Sequence, residues 1–552
     1  MSKSKEKEII GNLIGVTRPD IIEVLIDPKI TRNNPLEIGE YVAVDYPGEV
    51  LEYEVLALIT QITLQNENIP DSLMRSPDSY EQLKKLGDFT EGERLTAIAR
   101  IVGYYDPDKE NVIFPRFPPV PSGRVYRANK DNLAKIFSSG QVKIGHLRAH
   151  PDVDVKVDVE ELIRRHTAIL AITGAGKGNT VAVISSRILE LNGSIIIIDP
   201  HDEYHYLRNL YSDPNPVIVF NPGGDPSKQY FPLYFRWNNF SIEEIFDIFE
   251  IRETATNQRA LVREVLTKLN GKNWDINNFE QVMNRFIFGD ETLNEEERKE
   301  YQKQTKKYVN VGLALRDHIK GIREMVIIDK FNETPIFEKS TKSLVSMGQI
   351  TVISLSGLPK RVQQVVVSRL CRKLYNAGVS WRRNLDRPQL PCPTFMILEE
   401  AHNFIPALDK VKSSKPIERI AAEGRKFGIG LCIVSQRPNK IDQNVLSQCN
   451  SQIILKIVNP RDQSHIENSA EAISTDLMND LPSLNIGEAV ILGSCILLPA
   501  LVKIDKFWGE LGGDDIEIIN IWQGNVGKDK KSKIKMEDRE DTLNYKDKGP
   551  LI

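Results

Sequence analysis

The feature that most constrains this chain is a set of short apolar runs without polar alternation: "TAILA", "SIIIID", "PVIVF", "ITVISL", "FMILEE", "GLCIVSQ" and "SQIILKI". A strand with one face in water alternates apolar and polar residues, so continuous apolar runs require burial on both faces, as in a parallel sheet covered by helices. Segments with helical spacing separate the runs. The expectation beyond about residue 150 is therefore an α/β unit.

The first part of the chain reads differently. Between Ile9 and about residue 150, "IIEVLI", "EYVAVDY", "YEVLALITQITL" and "LTAIARIVGYY" are β-type runs punctuated by Pro, Gly and Asn. That spacing predicts a separate β domain, a small barrel or a sandwich. The α/β unit is itself interrupted. Ser241 and Glu244 have capping-box spacing, followed by Ile242, Ile245, Phe246 and Phe249 on one helical stripe. Further helical stretches are expected over 256–269 (ended by Gly271), 277–288, and 295–320, the last starting at Asn294 with Glu297 three residues on. An all-helical insert accounts for them. The end of the chain, "GNVGKDKKSKIKMEDREDTLNYKDKGPLI", is too charged and too poor in apolar side chains to fold alone.

At 552 residues, two to four structural units are expected. The formal net charge of -4 neither supports nor excludes nucleic acid, because a local basic stripe disappears in that sum. Five scattered cysteines without a C-x-x-C pair argue against a disulfide framework or zinc site and favour a reducing compartment. The N-terminus has no apolar signal region and no long apolar run is present. A cytoplasmic protein without a membrane span is expected.

One loop carries the first chemical signal. "AILAITGAGKGNTVAVI" places small residues and a lysine between an expected strand and helix. The phosphate-loop pattern asks for Gly, four residues, then Gly-Lys-Ser/Thr. Aligned on Gly176 and Lys177, the chain has Ala171 in place of the first Gly and Gly178 in place of the metal-binding hydroxyl. The strand–loop–helix context still aims backbone N–H groups and the helix dipole at one spot suited to phosphate oxygens. The expected cradle is Thr173, Gly174, Ala175, Gly176, Lys177, Gly178, Asn179 and Thr180, with Lys177 neutralising the β/γ end. Asn179 or Thr180 would replace the missing hydroxyl on Mg²⁺, directly or through water.

Downstream, "PTFMILEEAHNF" ends a strand in two carboxylates. An ATPase needs one to hold hydrated metal and one to orient the attacking water, which assigns Glu399 to Mg²⁺ and Glu400 to catalysis. Gln436, ending the next apolar run, either senses a γ-phosphate or closes a strand. Arg425 in "AAEGRKFGIG" is either a finger for a neighbouring subunit's ATP or a solvated charge. Asp199 in "SIIIIDPHDEY" either supports the metal or caps the next turn. His201 and His402 lack metal-ligand spacing to other His or Cys residues and are read as structural or as supporting the site indirectly.

The set "TGAGKGNT", "IIIIDPHDEY", "LEEAHNFIP", "KSSKPIERIAAEGRKFGIG" and "SQRPNKIDQNVLSQCN" resembles archaeal HerA, of the HerA/FtsK superfamily of P-loop ATPases. The resemblance implies a RecA-like P-loop core with an N-terminal small β-barrel, a helical insert and a charged C-terminal tail. It implies a homo-hexamer that pumps double-stranded DNA through its channel with ATP and Mg²⁺ and works with a NurA-type nuclease in end resection for recombination repair. Lys177, Glu400, Gln436 and Arg425 would be phosphate lysine, catalytic glutamate, sensor and trans-acting finger. The corresponding division is a barrel over 1–152, core over 153–239, insert over 240–325, core over 326–505 and extension over 506–552. A ring would present Lys360, Arg361, Lys410, Lys412 and Lys415 to DNA phosphates from loops that follow core strands. A conjugation or secretion motor of the same superfamily, and an ATP-gated ring scaffold that loads a partner, are the competing readings.

Overall fold

The computed structural model describes residues 8–27, 34–47, 53–66, 93–212, 214–269, 274–289, 294–323, 336–469 and 475–509. The charged tail expected beyond residue 509 lies outside the described residues.

The N-terminal strands are β1 (Ile9–Ile14), β2 (Ile21–Ile26), β3 (Tyr41–Val44), β4 (Val55–Asn66), β5 (Glu93–Asp106), β6 (Asn111–Ile113) and β7 (Arg124–Arg127). Their order is β2-β1-β7-β3-β4-β5-β6, and β2 also pairs with β5, so the sheet closes into a barrel rather than a sandwich. Inward residues such as Ile10, Ile22, Val24, Val42, Val55, Ala97 and Ala99 fill it. Closure removes the unpaired edges that an open sheet of this length would expose.

The core sheet is built from β8 (Val142–Leu147), β9 (Asp154–Val157), β10 (Thr167–Leu170), β11 (Ser194–Asp199), β12 (Val217–Asn221), β13 (Phe231–Pro232), β14 (Gln349–Ser354), β15 (Thr394–Leu398), β16 (Ile429–Ser435), β17 (Ser451–Ile454), β18 (Glu488–Gly493) and β19 (Ala500–Ile504). Its order is β13-β12-β14-β11-β15-β16-β10-β17-β18-β19-β8-β9. Neighbours from β13 to β17 run parallel, and those from β17 to β9 run antiparallel. The apolar runs occupy the parallel part. Residues Ile195 to Ile198 in β11 and Phe395 to Leu398 in β15 are buried, as strands covered on both faces require.

Helices α1 (Lys177–Glu190) and α2 (Lys360–Arg383) follow β10 and β14. Among the described residues, the stretch between β13 and β14 holds helices at Ile242–Ile248, Thr256–Leu269, Ile276–Phe288 and Glu295–Arg323. Ser241 and Glu244 form the reciprocal capping box, and the Asn294 N–H donates to Glu297 Oε2 at 3.0 Å while the Glu297 N–H donates to Asn294 Oδ1 at 2.9 Å. Trp237 stacks on Trp274 with centroids 5.1 Å apart, fastening this helical group to the core.

The antiparallel wing joins loop, sheet and barrel. The Gly487 N–H donates to Ala175 O at 3.0 Å, and the Ile504 N–H donates to Gly487 O at 2.9 Å. At the far end of the wing, the Tyr41 hydroxyl of β3 donates to Pro499 O, and Arg148 donates to Ile38 O at 2.9 Å.

Candidate nucleotide site

The loop between β10 and α1 turns through Gly174 at φ +77° and Gly176 at φ +108°, a region costly for residues with a Cβ. Gly176 is the N-cap of α1 and supplies no side-chain hydrogen bond, and the first turn carries no acidic residue. The first N–H groups of the helix and the positive end of its dipole are therefore left for an anionic ligand. Lys177 opens the helix, buried at 7 % exposure.

Strand order decides what meets that lysine. β16 lies between β10 and β15, and the end of β15 delivers Glu399 and Glu400. Consecutive residues of an extended strand point to opposite faces. Here Glu400 leaves the strand at φ +47°, in the left-handed region, and the turn brings both carboxylates onto one cation. Lys177 Nζ lies 2.5 Å from Glu400 Oε1 and 3.1 Å from Glu399 Oε2. A non-glycine residue held in this conformation stores strain of about 1–3 kcal/mol, a feature that concentrates at functional sites.

The charges are set by their neighbours. Burial would raise the Glu400 carboxyl, but His402, 3.1 Å away, and Lys177 outweigh it and hold it down at about 2. Burial would lower the Lys177 ammonium, but Glu399 and Glu400 outweigh it and raise it. The site thus keeps an ionised base beside a fixed cation. Between them, at the end of β16, Gln436 accepts from the Thr173 hydroxyl at 2.5 Å, which places its amide against the phosphate loop.

Comparison with known proteins gives the family. The family described as helicase HerA, central domain, matches residues 142–374. A probable helicase of Methanocaldococcus jannaschii is 32% identical over 94% of each chain. The DNA double-strand break repair helicase HerA of Sulfurisphaera tokodaii is 32% identical over 97% of this chain and 99% of its own. The chain belongs to the HerA family. Among solved structures, VirB4 of Thermoanaerobacter pseudethanolicus aligns with 67% of this HerA-family chain at 16% identity and a TM-score of 0.45. The central-domain match contains Lys177 but ends before Glu399, Arg425 and Gln436. The near full-length relatives extend the HerA likeness over that remainder.

Several residues expected at the metal are engaged elsewhere. The Thr180 hydroxyl is buried and donates to Gly176 O at 3.0 Å, within the first turn of α1. Asn179 is engaged by the segment after β19, donating to Asp505 O at 2.9 Å and accepting from the Phe507 N–H at 2.8 Å. Asp199 caps the turn after β11: its two oxygens accept the N–H groups of His201 at 3.2 Å and Tyr204 at 2.9 Å. Burial pushes the Asp199 carboxyl up to about 7 against those bonds. Each of these polar groups has a protein partner in this structure, and for Asp199 that partner is the turn whose capping was one of its two readings.

Three residues near the cleft carried no assigned role, or only an indirect one, in the sequence. The Tyr204 hydroxyl donates to Glu399, His402 sits against Glu400, and Glu203 lies beside Gly178. The signal for Glu203 and Tyr204 was the polar run "HDEYHY" directly after a buried strand. Hydrated Mg²⁺ on a bound phosphate, which takes one or two carboxylates, fits the residues present: Glu399 and Glu400 offer hard oxygens beside the ammonium and Glu203 borders the open space at Gly178, although no three such ligands stand together as a ready-made metal site among the described residues. Three carboxylates against one cation leave negative charge for a divalent ion to balance.

The remaining basic residues are dispersed. Arg425 is exposed, in the turn before β16, and makes no hydrogen bond or ion pair among the described residues. It lines a hollow with Arg164, Trp381, Arg382, Lys426 and Phe427. Lys360 and Arg361 open α2 and are exposed. Lys410 pairs with Glu418 at 2.7 Å and Lys412 with Asp247 at 3.2 Å, while Lys415 is exposed. Two of the five cations expected at DNA thus have an acidic partner at the surface of the chain. No described helix is long and apolar enough to cross a membrane.

Proposed function

We propose that this HerA-family chain is an ATP hydrolase that drives double-stranded DNA through a homo-hexameric ring, acting with a NurA-type nuclease in end resection. The observation that carries the reading is the meeting of Lys177 with Glu399 and Glu400 at the free N-terminus of α1. In this reading Lys177 and the α1 N–H groups bind the phosphates, and Glu400, ionised and oriented by His402, takes the proton of the attacking water. Gln436 reports on the phosphate beside Thr173. Mg²⁺ supplies charge neutralisation at the transferring phosphoryl group, and Glu399, fixed by Tyr204, with Glu203 would hold it.

The position of Arg425 supports a ring. It precedes β16, whereas Gln436 and the phosphate loop lie at that strand's other end. Seven residues of strand span roughly 20 Å. An arginine side chain does not cover that distance, so its use in phosphoryl transfer requires a second subunit. The relatives named as DNA double-strand break repair helicases favour DNA as the cargo. DNA-stimulated ATP hydrolysis at low salt, with and without a NurA-type nuclease, tests the whole reading; turnover indifferent to duplex DNA would overturn the translocase part.

A further inference from the structure

Gly178 stands where the usual phosphate loop has a Ser or Thr whose hydroxyl contacts magnesium. Lack of room does not explain it. A Cβ built on Gly178 meets only the Tyr204 hydroxyl at 3.8 Å and Glu203 Oε2 at 3.9 Å. At Gly430, by contrast, an added Cβ would lie 2.5 Å from the Ile163 carbonyl. What borders the open space at Gly178 is a carboxylate.

Resting on the ATP reading above, we propose that Glu203 replaces the missing hydroxyl and, alongside Glu399, contacts the hydrated Mg²⁺ of bound nucleotide. A side-chain oxygen one bond beyond a Cβ at Gly178 would have the Glu203 carboxylate beside it, so the two positions offer an oxygen to one small region. Glu203 is free for the task. It is half-buried, and its carboxylate makes no hydrogen bond or ion pair among the described residues.

Its backbone is held in place from both sides. The next residue, Tyr204, is buried, gives its N–H to Asp199 and its hydroxyl to Glu399. Asp199 also accepts the His201 N–H at 3.2 Å, so its carboxylate spans the turn that carries Glu203. Asp199 therefore acts on the metal by fixing the segment that carries Glu203. A glutamate reaching in from a neighbouring turn also suits magnesium, which keeps several of its waters and accepts one or two carboxylates. Burial and the Glu399 charge push the Glu203 carboxyl up, a penalty that a divalent cation would remove.

The test uses the full chain and Mn²⁺ as a paramagnetic probe, titrated in the presence of saturating ADP and read by electron paramagnetic resonance. Glu203→Gln should weaken Mn²⁺ binding by about tenfold or more, while ADP binding in EDTA stays at the parent level. Adding Gly178→Ser should restore Mn²⁺ affinity, which loss of packing at position 203 would not allow. Unchanged Mn²⁺ affinity in Glu203→Gln overturns the proposal. So does a double variant no better than the single one, because the two positions would then not serve the same ion. Failure of the parent to bind ADP in EDTA or with Mn²⁺ would instead overturn the nucleotide reading on which the proposal rests.

Discussion

Glu400 Oε1 lies 2.5 Å from Lys177 Nζ because the backbone at Glu400 turns into the left-handed region at φ +47°. The contact joins residues far apart in sequence across an intervening strand, and it makes the lysine both a ligand group and a structural counter-ion. Lys177→Ala should abolish ATP hydrolysis. It should also lower stability by about 3 kcal/mol, since it leaves two buried carboxylates without their cation. Denaturant unfolding checks the second effect; full ATPase activity in the variant would remove Lys177 from the phosphate site.

Glu400→Gln keeps the shape of the side chain but removes the base. Nucleotide binding should persist while turnover falls by roughly 10²–10⁴. Single-turnover hydrolysis beside an equilibrium binding measurement separates the two, and parent-level turnover would exclude Glu400 from the mechanism.

Arg425 can be tested in mixed assemblies. Arg425→Ala and Lys177→Ala should each be inactive alone, because loss of an arginine finger costs a factor of about 10³–10⁵. Co-assembled, they form some boundaries with both groups intact, and a fraction of the DNA-stimulated turnover should return. Differently labelled chains confirm exchange. Exchange without rescue would assign Arg425 no role across the boundary.

His166 offers a pH test. It is buried, its Nδ1 accepts from the Leu431 N–H at 3.0 Å and its Nε2 lies 3.0 Å from Ala421 O. Burial outweighs the carbonyl contacts and holds its folded value down at about 4 against 6.5. The unfolded chain therefore binds the proton first as pH falls. The stability conferred by neutral His166 is complete above pH 6.5 and is lost between 6.5 and 4, a change of about 3 kcal/mol. Urea unfolding over that window should show a shallower slope in His166→Gln; an identical slope would refute the assignment.

Legibility in the sequence followed the range of the interaction. The α/β core was readable because burial on both faces writes itself into one strand at a time, as in "SIIIID", and the insert helices because caps such as Ser241–Glu244 act over three residues. Strand spacing alone left barrel and sandwich open, because closure depends on β2 meeting β5 across a long stretch of sequence, and only the HerA resemblance pointed to the barrel. At the site, the pairing of glycine loop and acids marked Lys177, Glu399 and Glu400. The engagement of Thr180 and Asn179 with protein partners was hidden, because a polar residue near a motif looks the same whether its hydrogen bond goes to a ligand or to its own backbone; for Asp199 the turn cap was one of two readings the sequence left open. Glu203 was hidden for the opposite reason: its relation to Gly178 exists only in space.

The wing beside the phosphate loop has a mechanical consequence. Ala175 is hydrogen-bonded to Gly487, Gly487 to Ile504, and the strand pair β18–β19 begins its second member one residue after Pro499, whose carbonyl receives the Tyr41 hydroxyl of the barrel. The loop and the barrel are thus joined through one strand pair, which gives any displacement of the loop a direct route to the barrel. On the proposed ATP reading, whatever grips the barrel would be coupled through these contacts to the site where the nucleotide turns over.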